Sequence, residues 1–226
     1  MLDWVPPEKV FPAFNFIIEA LGAANYLDDF RSYNNNLLCA LDGTQYFCSK
    51  TIHCDNCSTK EHKNGSSTYS HTAITPVLLK PGCNKVISLP PEFITPQDGH
   101  KKQDCENAAA KRWLNQFVPL YKAFGITILG DDLYCKQSLC KLILQNGLDF
   151  ILVCKPDSHK TLYQWVEELD GLQAVETVVK KRWTGKTHHI DTYRFVNQVP
   201  LRDGKDAQMV NWCELTTTLP DGTIYI

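Results

Sequence analysis

Two aspartates each end an apolar run, Asp42 after Leu37-Leu38-Cys39-Ala40-Leu41 and Asp131 after Ile126-Thr127-Ile128-Leu129-Gly130. A buried strand would deliver each carboxylate to the edge of a sheet, where the ligand chemistry of α/β folds gathers. Two acids delivered this way can share divalent metal ions, and shared ions are a common route to phosphodiester cleavage. The ordinary role of Asp42-Gly43 is a hairpin turn, because glycine tolerates positive φ and aspartate bonds its own backbone. Asp132 follows Asp131 directly, so on a strand it points to the opposite face; its ordinary role is to cap the next helix. Glu214, in Trp212-Cys213-Glu214-Leu215, reads as a strand-face residue rather than a third acid.

A second constellation is Cys54, Cys57, His62 and His71, spaced C-x2-C-x4-H-x8-H. Two thiolates and two imidazoles suit a structural, tetrahedral Zn2+, and a polar loop gains much of its order from such a clip. Four protein ligands would leave no open coordination position, which argues against a catalytic zinc. The alternative is a surface loop with unpaired thiols. A third constellation, Lys180, Lys181, Arg182, Trp183 and Lys186, mixes cations with an aromatic ring between two strands. It suits a phosphate backbone with the tryptophan stacking or wedging, and equally a solvated hairpin tip.

The elements that must position these residues follow from hydrophobic period and turn chemistry. Phe14, Ile17, Ile18 and Leu21 mark a short helix stopped at Gly22. Strands are expected over 37–42, 45–52, 73–79 and 85–89, with an aperiodic Cys/His loop at 53–71 and a stiff connector through Pro90, Pro91, Pro96 and Gly99. Asp104 is the expected N-cap of a helix burying Trp113, Phe117, Leu120 and Phe124, which Pro119 should kink or shorten. Then come a strand at 126–129, a helix near 139–144, a strand at 150–153 and a Ser158-capped helix with Leu162, Trp165, Val166 and Leu169 inward. Beyond Ala174 the pattern turns to strands, at 175–179, 192–196 and 209–217. A hairpin sheet extended by strand-helix units is an α/β arrangement of mixed strands.

Composition sets the outer limits. With 226 residues, 43% apolar and 11% aromatic, the chain can bury a substantial core. A net charge of −2 confines any nucleic-acid contact to local patches. No apolar stretch approaches a membrane span, and the start lacks the pattern of a signal peptide. Ten cysteines, several alone in apolar runs, then read as buried thiols of a reduced, cytoplasmic protein.

Taken together, these residues resemble transposases of bacterial insertion sequences with a ribonuclease-H-like catalytic core. The likeness rests on Leu41-Asp42-Gly43-Thr44-Gln45-Tyr46-Phe47, Ile52-His53-Cys54 through His62-Lys63-Asn64-Gly65, Tyr69-Ser70-His71 and Gln97-Asp98-Gly99. It continues through Asp104-Cys105-Glu106-Asn107 to Arg112, Gly130-Asp131-Asp132-Leu133-Tyr134 and Val153-Cys154-Lys155-Pro156. The resemblance implies a ribonuclease-H-like mixed sheet flanked by helices, with a Cys/His loop insertion and a β-rich insertion after residue 174. It divides the chain into a helical remnant at 1–36, a core at 37–173 and the incomplete insertion at 174–226. It also implies a DDE triad holding Mg2+ or Mn2+, with Asp42 as first acid and Asp131 as second. The partners implied are DNA, as transposon ends and target, and a second copy of the chain as a homodimer on DNA. The family's third acid, a glutamate on a helix after the insertion, has no match. The expectation is therefore a fragment truncated at both ends and inactive alone, with a zinc-containing nucleic-acid-binding module or a non-functional remnant as alternatives.

Overall fold

The computed structural model describes residues 6–96 and 104–225, so the Gln97-Asp98-Gly99 motif lies outside the described residues. The chain divides into two compact units, Met1–Val153 and Cys154–Ile226.

The first unit is built on a mixed five-stranded sheet. Strand β1 (Leu37–Ala40) is central, β5 (Val77–Leu79) lies antiparallel to it on one side, and β6 (Ile87–Ser88) continues that hairpin outward. On the other side β8 (Ile126–Gly130) and β9 (Asp149–Leu152) run parallel to β1. Helix α3 (Gln137–Gln145) connects the last two, as parallel neighbours require. It stops before Gly147, which takes the positive φ (73°) of a helix terminator. The run Leu37-Leu38-Cys39 is buried without alternation, as expected of a strand covered on both faces.

Helix α2 (Glu106–Tyr121) contributes much of the core through Trp113, Leu114, Phe117 and Val118, which pack with Cys39, Ile128, Leu139 and Ile143. Full burial of side chains of this size stabilises by about 1.5–3 kcal/mol each. Helix α1 (Phe11–Ala23) adds Ile18 to the same core. Pro119 falls in the last turn of α2, which ends two residues later and tightens into a 3-10 turn at Lys122–Phe124. The expected cap is not made. Cys105 holds the N-cap position, while the buried Asp104 carboxylate is bound by Arg112 at 2.6 and 3.1 Å.

A second, antiparallel sheet is formed by β2 (Gly43–Ser49), β4 (Ser67–Ile74) and β3 (Ser58–Glu61), with β7 (Glu92–Ile94) also paired to β4. The expected strand over 73–79 is therefore two strands in two sheets. Pro76 has no N–H to continue a ladder, and the chain changes sheet there, as it also does at Leu41-Asp42. The two crossings are tied together by Thr75 N donating to the Asp42 carbonyl at 2.9 Å. The segment 53–71, expected to be an aperiodic loop, is largely the β3–β4 hairpin. Its tip is an Asn64-Gly65 turn, with Gly65 at φ 80° and the Asn64 side chain accepting from Ser66 N.

In the second unit, β10 (Glu176–Trp183), β11 (His188–Pro200), β12 (Met209–Thr218) and β13 (Ile224–Tyr225) form an antiparallel meander. Gly204 and Gly222, at φ 115° and 85°, serve the turns read from the Asp-Gly pairs. Helix α4 (Lys160–Gly171) packs on β11, with Tyr163 edge-on to Trp212, so it belongs to this unit rather than to the core at 37–173. Its N-cap is His159, not Ser158. Leu162 and Val166 are buried as expected, but Trp165 is 43% exposed.

Candidate functional site

Strand pairing decides where the two aspartates lie. Ala40 pairs with Leu129 in the parallel ladder, and Leu41 N donates to Leu129 O at 2.9 Å. Continued two residues past its last pair, the same register would set Asp42 opposite Asp131. Both sit at the carboxyl ends of adjacent parallel strands, and both are solvent-exposed. The hairpin role of Asp42-Gly43 is not realised: β1 and β2 enter different sheets, and Gly43 is absent from the positive-φ residues. The Asp131 carboxylate accepts from Leu133 N at 2.9 Å. Helix α3 takes Lys136 as its N-cap, so Asp132 is not its cap.

A third carboxylate approaches this edge from Glu106, which the sequence did not mark as a site residue. Glu106 opens α2, and a Cβ placed on Gly43 would overlap its carboxylate group. The glycine after Asp42 thus serves close approach, not a turn. The Tyr134 hydroxyl donates to Glu106 Oε2 at 3.1 Å. Burial holds the Tyr134 phenol well above the usual tyrosine range, followed by the charge and hydrogen bond of Glu106 and then the charges of Asp42 and Asp131. One buried hydroxyl therefore senses all three acids. Among the described residues the three carboxylates do not form a cluster that could hold a metal ion; the group that does is Cys54, Cys57 and His71. Glu106 was hard to find because its approach depends on α2 packing back over the start of β2. The available signal was a glycine directly after the acid.

Glu214 stands on β12 opposite Arg194, which binds it at 3.2 Å, as a strand-face residue should.

Three of the four expected zinc ligands come together. Cys54 Sγ and Cys57 Sγ are 3.8 Å apart, and each lies 3.3 Å from His71 Nε2, so this Cys2His group could hold a metal such as zinc. His62 is not among them. The hairpin register pairs Ser58 with Ser70 and Glu61 with Ser67, which puts Cys57 next to His71 and His62 at the far, turn end. Five residues of strand at about 3.3 Å each separate Cys57 from His62. His62 Nε2 instead meets Thr68 Oγ1 at 2.7 Å. A register irregularity between Gln45 and Phe47 brings two rings of β2 against His71, Tyr46 stacked at 5.7 Å and Phe47 tilted at 5.4 Å.

The basic segment, read as lying between two strands, is mostly strand itself. Lys180, Lys181, Arg182 and Trp183 continue strand β10, and only 184–187 form the turn, which includes Lys186. Arg182 is bound to Asp191 at 2.7 and 3.2 Å, and Lys180 lies over the Tyr193 ring at 5.6 Å. Trp183 packs near His188 yet stays 57% exposed. No cysteine is in a disulfide. No helix among the described residues is long and apolar enough to cross a membrane.

No family profile matches the chain, and no curated protein matches it.

Proposed function

We propose that the first unit is the catalytic core of a DDE-type transposase with a ribonuclease-H-like fold, acting on DNA phosphodiesters. The observation that carries the reading is the parallel pairing of β1 with β8, which leaves Asp42 and Asp131 each just beyond the carboxyl end of one of two neighbouring strands. The mixed sheet supports it, with hairpin strands on one flank of β1 and strand-helix strands on the other. On this reading Asp42, Asp131 and Glu106 hold Mg2+ or Mn2+, and Tyr134 fixes the Glu106 carboxylate through its hydroxyl. The ions would supply activation of the attacking oxygen and stabilisation of the leaving oxygen. The residues themselves would bind and orient those ions. On this reading Glu106 would supply the third carboxylate from within the chain, and the expectation of a chain inactive alone would give way to one of metal-dependent cleavage.

The competing reading is a nucleic-acid-binding module without chemistry, favoured by the Cys2His group. Nicking of supercoiled plasmid with Mg2+ or Mn2+ separates the two, measured together with DNA binding by the same protein. The transposase reading expects Asp42→Ala and Asp131→Ala to lose cleavage while retaining binding. Metal-dependent nicking that survives either substitution would overturn it, and so would absence of nicking in the unaltered chain. The binding-module reading expects Asp42→Ala to change nothing and Cys54→Ala to abolish binding. DNA, as transposon ends and target, and a second copy of the chain are the partners this proposal carries.

A further inference from the structure

The segment Cys54-Asp55-Asn56-Cys57 is folded as a tight turn, with Cys57 N donating to the Cys54 carbonyl at 3.1 Å and Cys54 N donating to Cys57 Sγ at 3.4 Å. The turn brings the two sulfurs to 3.8 Å. His71 Nε2 lies 3.3 Å from each, so both sulfurs face one point and therefore one another. A β-turn holds its end Cα atoms within about 7 Å, and a disulfide needs them about 4.4–6.8 Å apart with the sulfurs at about 2.05 Å. Rotation of two side chains therefore closes the bond without unmaking the turn.

The two thiols differ in access. Cys54 is exposed, whereas Cys57 is buried at 5%. That asymmetry orders a two-step exchange, in which the outer sulfur meets an incoming disulfide and the inner one resolves it. Cys135 and Cys140, whose thiols also share a hydrogen bond, are both buried and offer no outer sulfur.

We propose that Cys54 and Cys57 form a thiol–disulfide exchange site, with Cys54 as the attacking sulfur, Cys57 as the resolving sulfur and a small disulfide of the glutathione class as oxidant. Cys54 Sγ, as thiolate, attacks one sulfur of the small disulfide and expels the other as a thiol. Cys57 Sγ then attacks Cys54 Sγ and expels the second thiol. The protein pair is oxidised by two electrons, the small disulfide is reduced to two thiols, and the two protons of the pair end on the leaving sulfurs. A metal held by the reduced group is bound through thiolates, so closing the disulfide removes two of its ligands. Oxidation then governs whether the β2–β3 connection is clipped to His71 on β4.

The test exposes the full chain, reduced and stripped with chelator, to excess oxidised glutathione, with acid quenching, alkylation and digestion at each time point. Both cysteines fall in one tryptic peptide, Thr51–Lys60, which holds no other cysteine, so mass spectrometry reads the pair directly. In the parent, a mixed disulfide on Cys54 should precede a peptide two hydrogens lighter than the dithiol, and dithiothreitol should restore the dithiol. Cys57→Ser should stop at one glutathione on Cys54. In folded Cys54→Ser, confirmed by circular dichroism, Cys57 should react roughly 100-fold more slowly than Cys54 does in Cys57→Ser. Guanidinium should abolish that difference, because both thiols are then exposed. A parent peptide that collects glutathione without closing to the disulfide would overturn the proposal. So would a mixed disulfide that forms first on Cys57, a reading that the parent time course supplies even where a variant fails to fold. None of these readouts involves the carboxylates, so the result is independent of the reading of the first site.

Discussion

At the scale of the residue, Gly43 is where the acid site is most open to experiment. Its missing side chain leaves room for the Glu106 carboxylate beside Asp42, and its backbone is ordinary strand. In Gly43→Ala the new methyl must displace that carboxylate, which is the flexible end of a side chain and moves at little cost. Stability should change by less than about 1 kcal/mol, or about 2–4 °C in the thermal midpoint. If the proposed site holds an ion through Glu106, affinity for Mn2+ should fall roughly 10–100-fold, measured by calorimetric titration, because the carboxylate is pushed away from the Asp42 end of β2. Unchanged Mn2+ affinity in a folded Gly43→Ala protein would remove Glu106 from the site. The place of Asp42 and Asp131 just beyond strand ends was legible in the sequence because each ends an apolar run, and the end of a buried strand is a position that local pattern specifies. Glu106 was not, since no local signal says which distant backbone a helix start will touch. His62 was over-read for a related reason. Ligand spacing along the chain is not distance across a hairpin, and the turn sends His62 away from Cys57 while the returning strand brings His71 back.

At the scale of the element, α2 is held at its first turns by one guanidinium. Arg112 binds Glu92 on β7 at 2.6 Å, the Phe93 carbonyl at 3.1 Å and the Asp104 carboxylate in bidentate fashion. The Asp104 side chain is 1% exposed and that of Arg112 is 34% exposed, so removing the cation leaves a buried carboxylate behind. Arg112→Ala should destabilise the chain by about 2–3 kcal/mol, below the 3–5 of a wholly buried pair because the guanidinium is partly solvated. Lys111→Ala, which removes an exposed contact to Ser138, should stay within about 0.5 kcal/mol. Chemical denaturation followed by tryptophan fluorescence reads both, since Trp113 is fully buried on the same helix. Equal losses in the two variants would show that Arg112 is no anchor. The helices themselves were readable from their 3.6-residue period and their glycine stops, and the central strands from apolar runs. The β3–β4 hairpin escaped because its strands are polar and have no buried face to produce alternation. Its Asn64-Gly65 turn was the one sign present. Asp104 looked like a cap because of its place before the helix, but a carboxylate with an arginine two turns along has a stronger partner than a backbone amide.

At the scale of the whole molecule, the two units hold themselves together by different means, and acid should separate them. The first unit rests on an apolar core. In the second, a buried aspartate on the central strand binds across to its neighbours. Asp191 accepts from Arg182 at 2.7 and 3.2 Å and from Thr217 at 2.8 Å, linking β10, β11 and β12. The Arg182 hydrogen bonds, with that of Thr217, hold the Asp191 carboxyl down at about 2, below its ordinary value of 3.8. An acid whose folded value is depressed contributes stability that is full above its unfolded value and is lost as pH falls through the folded one. The contribution should therefore be intact at pH 6, begin to fail below about pH 4 and be largely gone near pH 2. Arg182 keeps its charge throughout, because the same pair raises its own value. Hydrogen exchange of peptides from β10, β11 and β12, corrected for intrinsic rates, reports this unit separately from the first. In the parent, protection in these strands should drop between pH 4 and pH 2.5. In Asp191→Asn, protection at pH 6 should already be reduced and should change little with further acid, since the titrating group is gone. If parent and variant lose protection in parallel over that range, the Arg182–Asp191–Thr217 link does not hold the meander together. In that case the cation at Arg182 would also be available to bind a phosphate backbone.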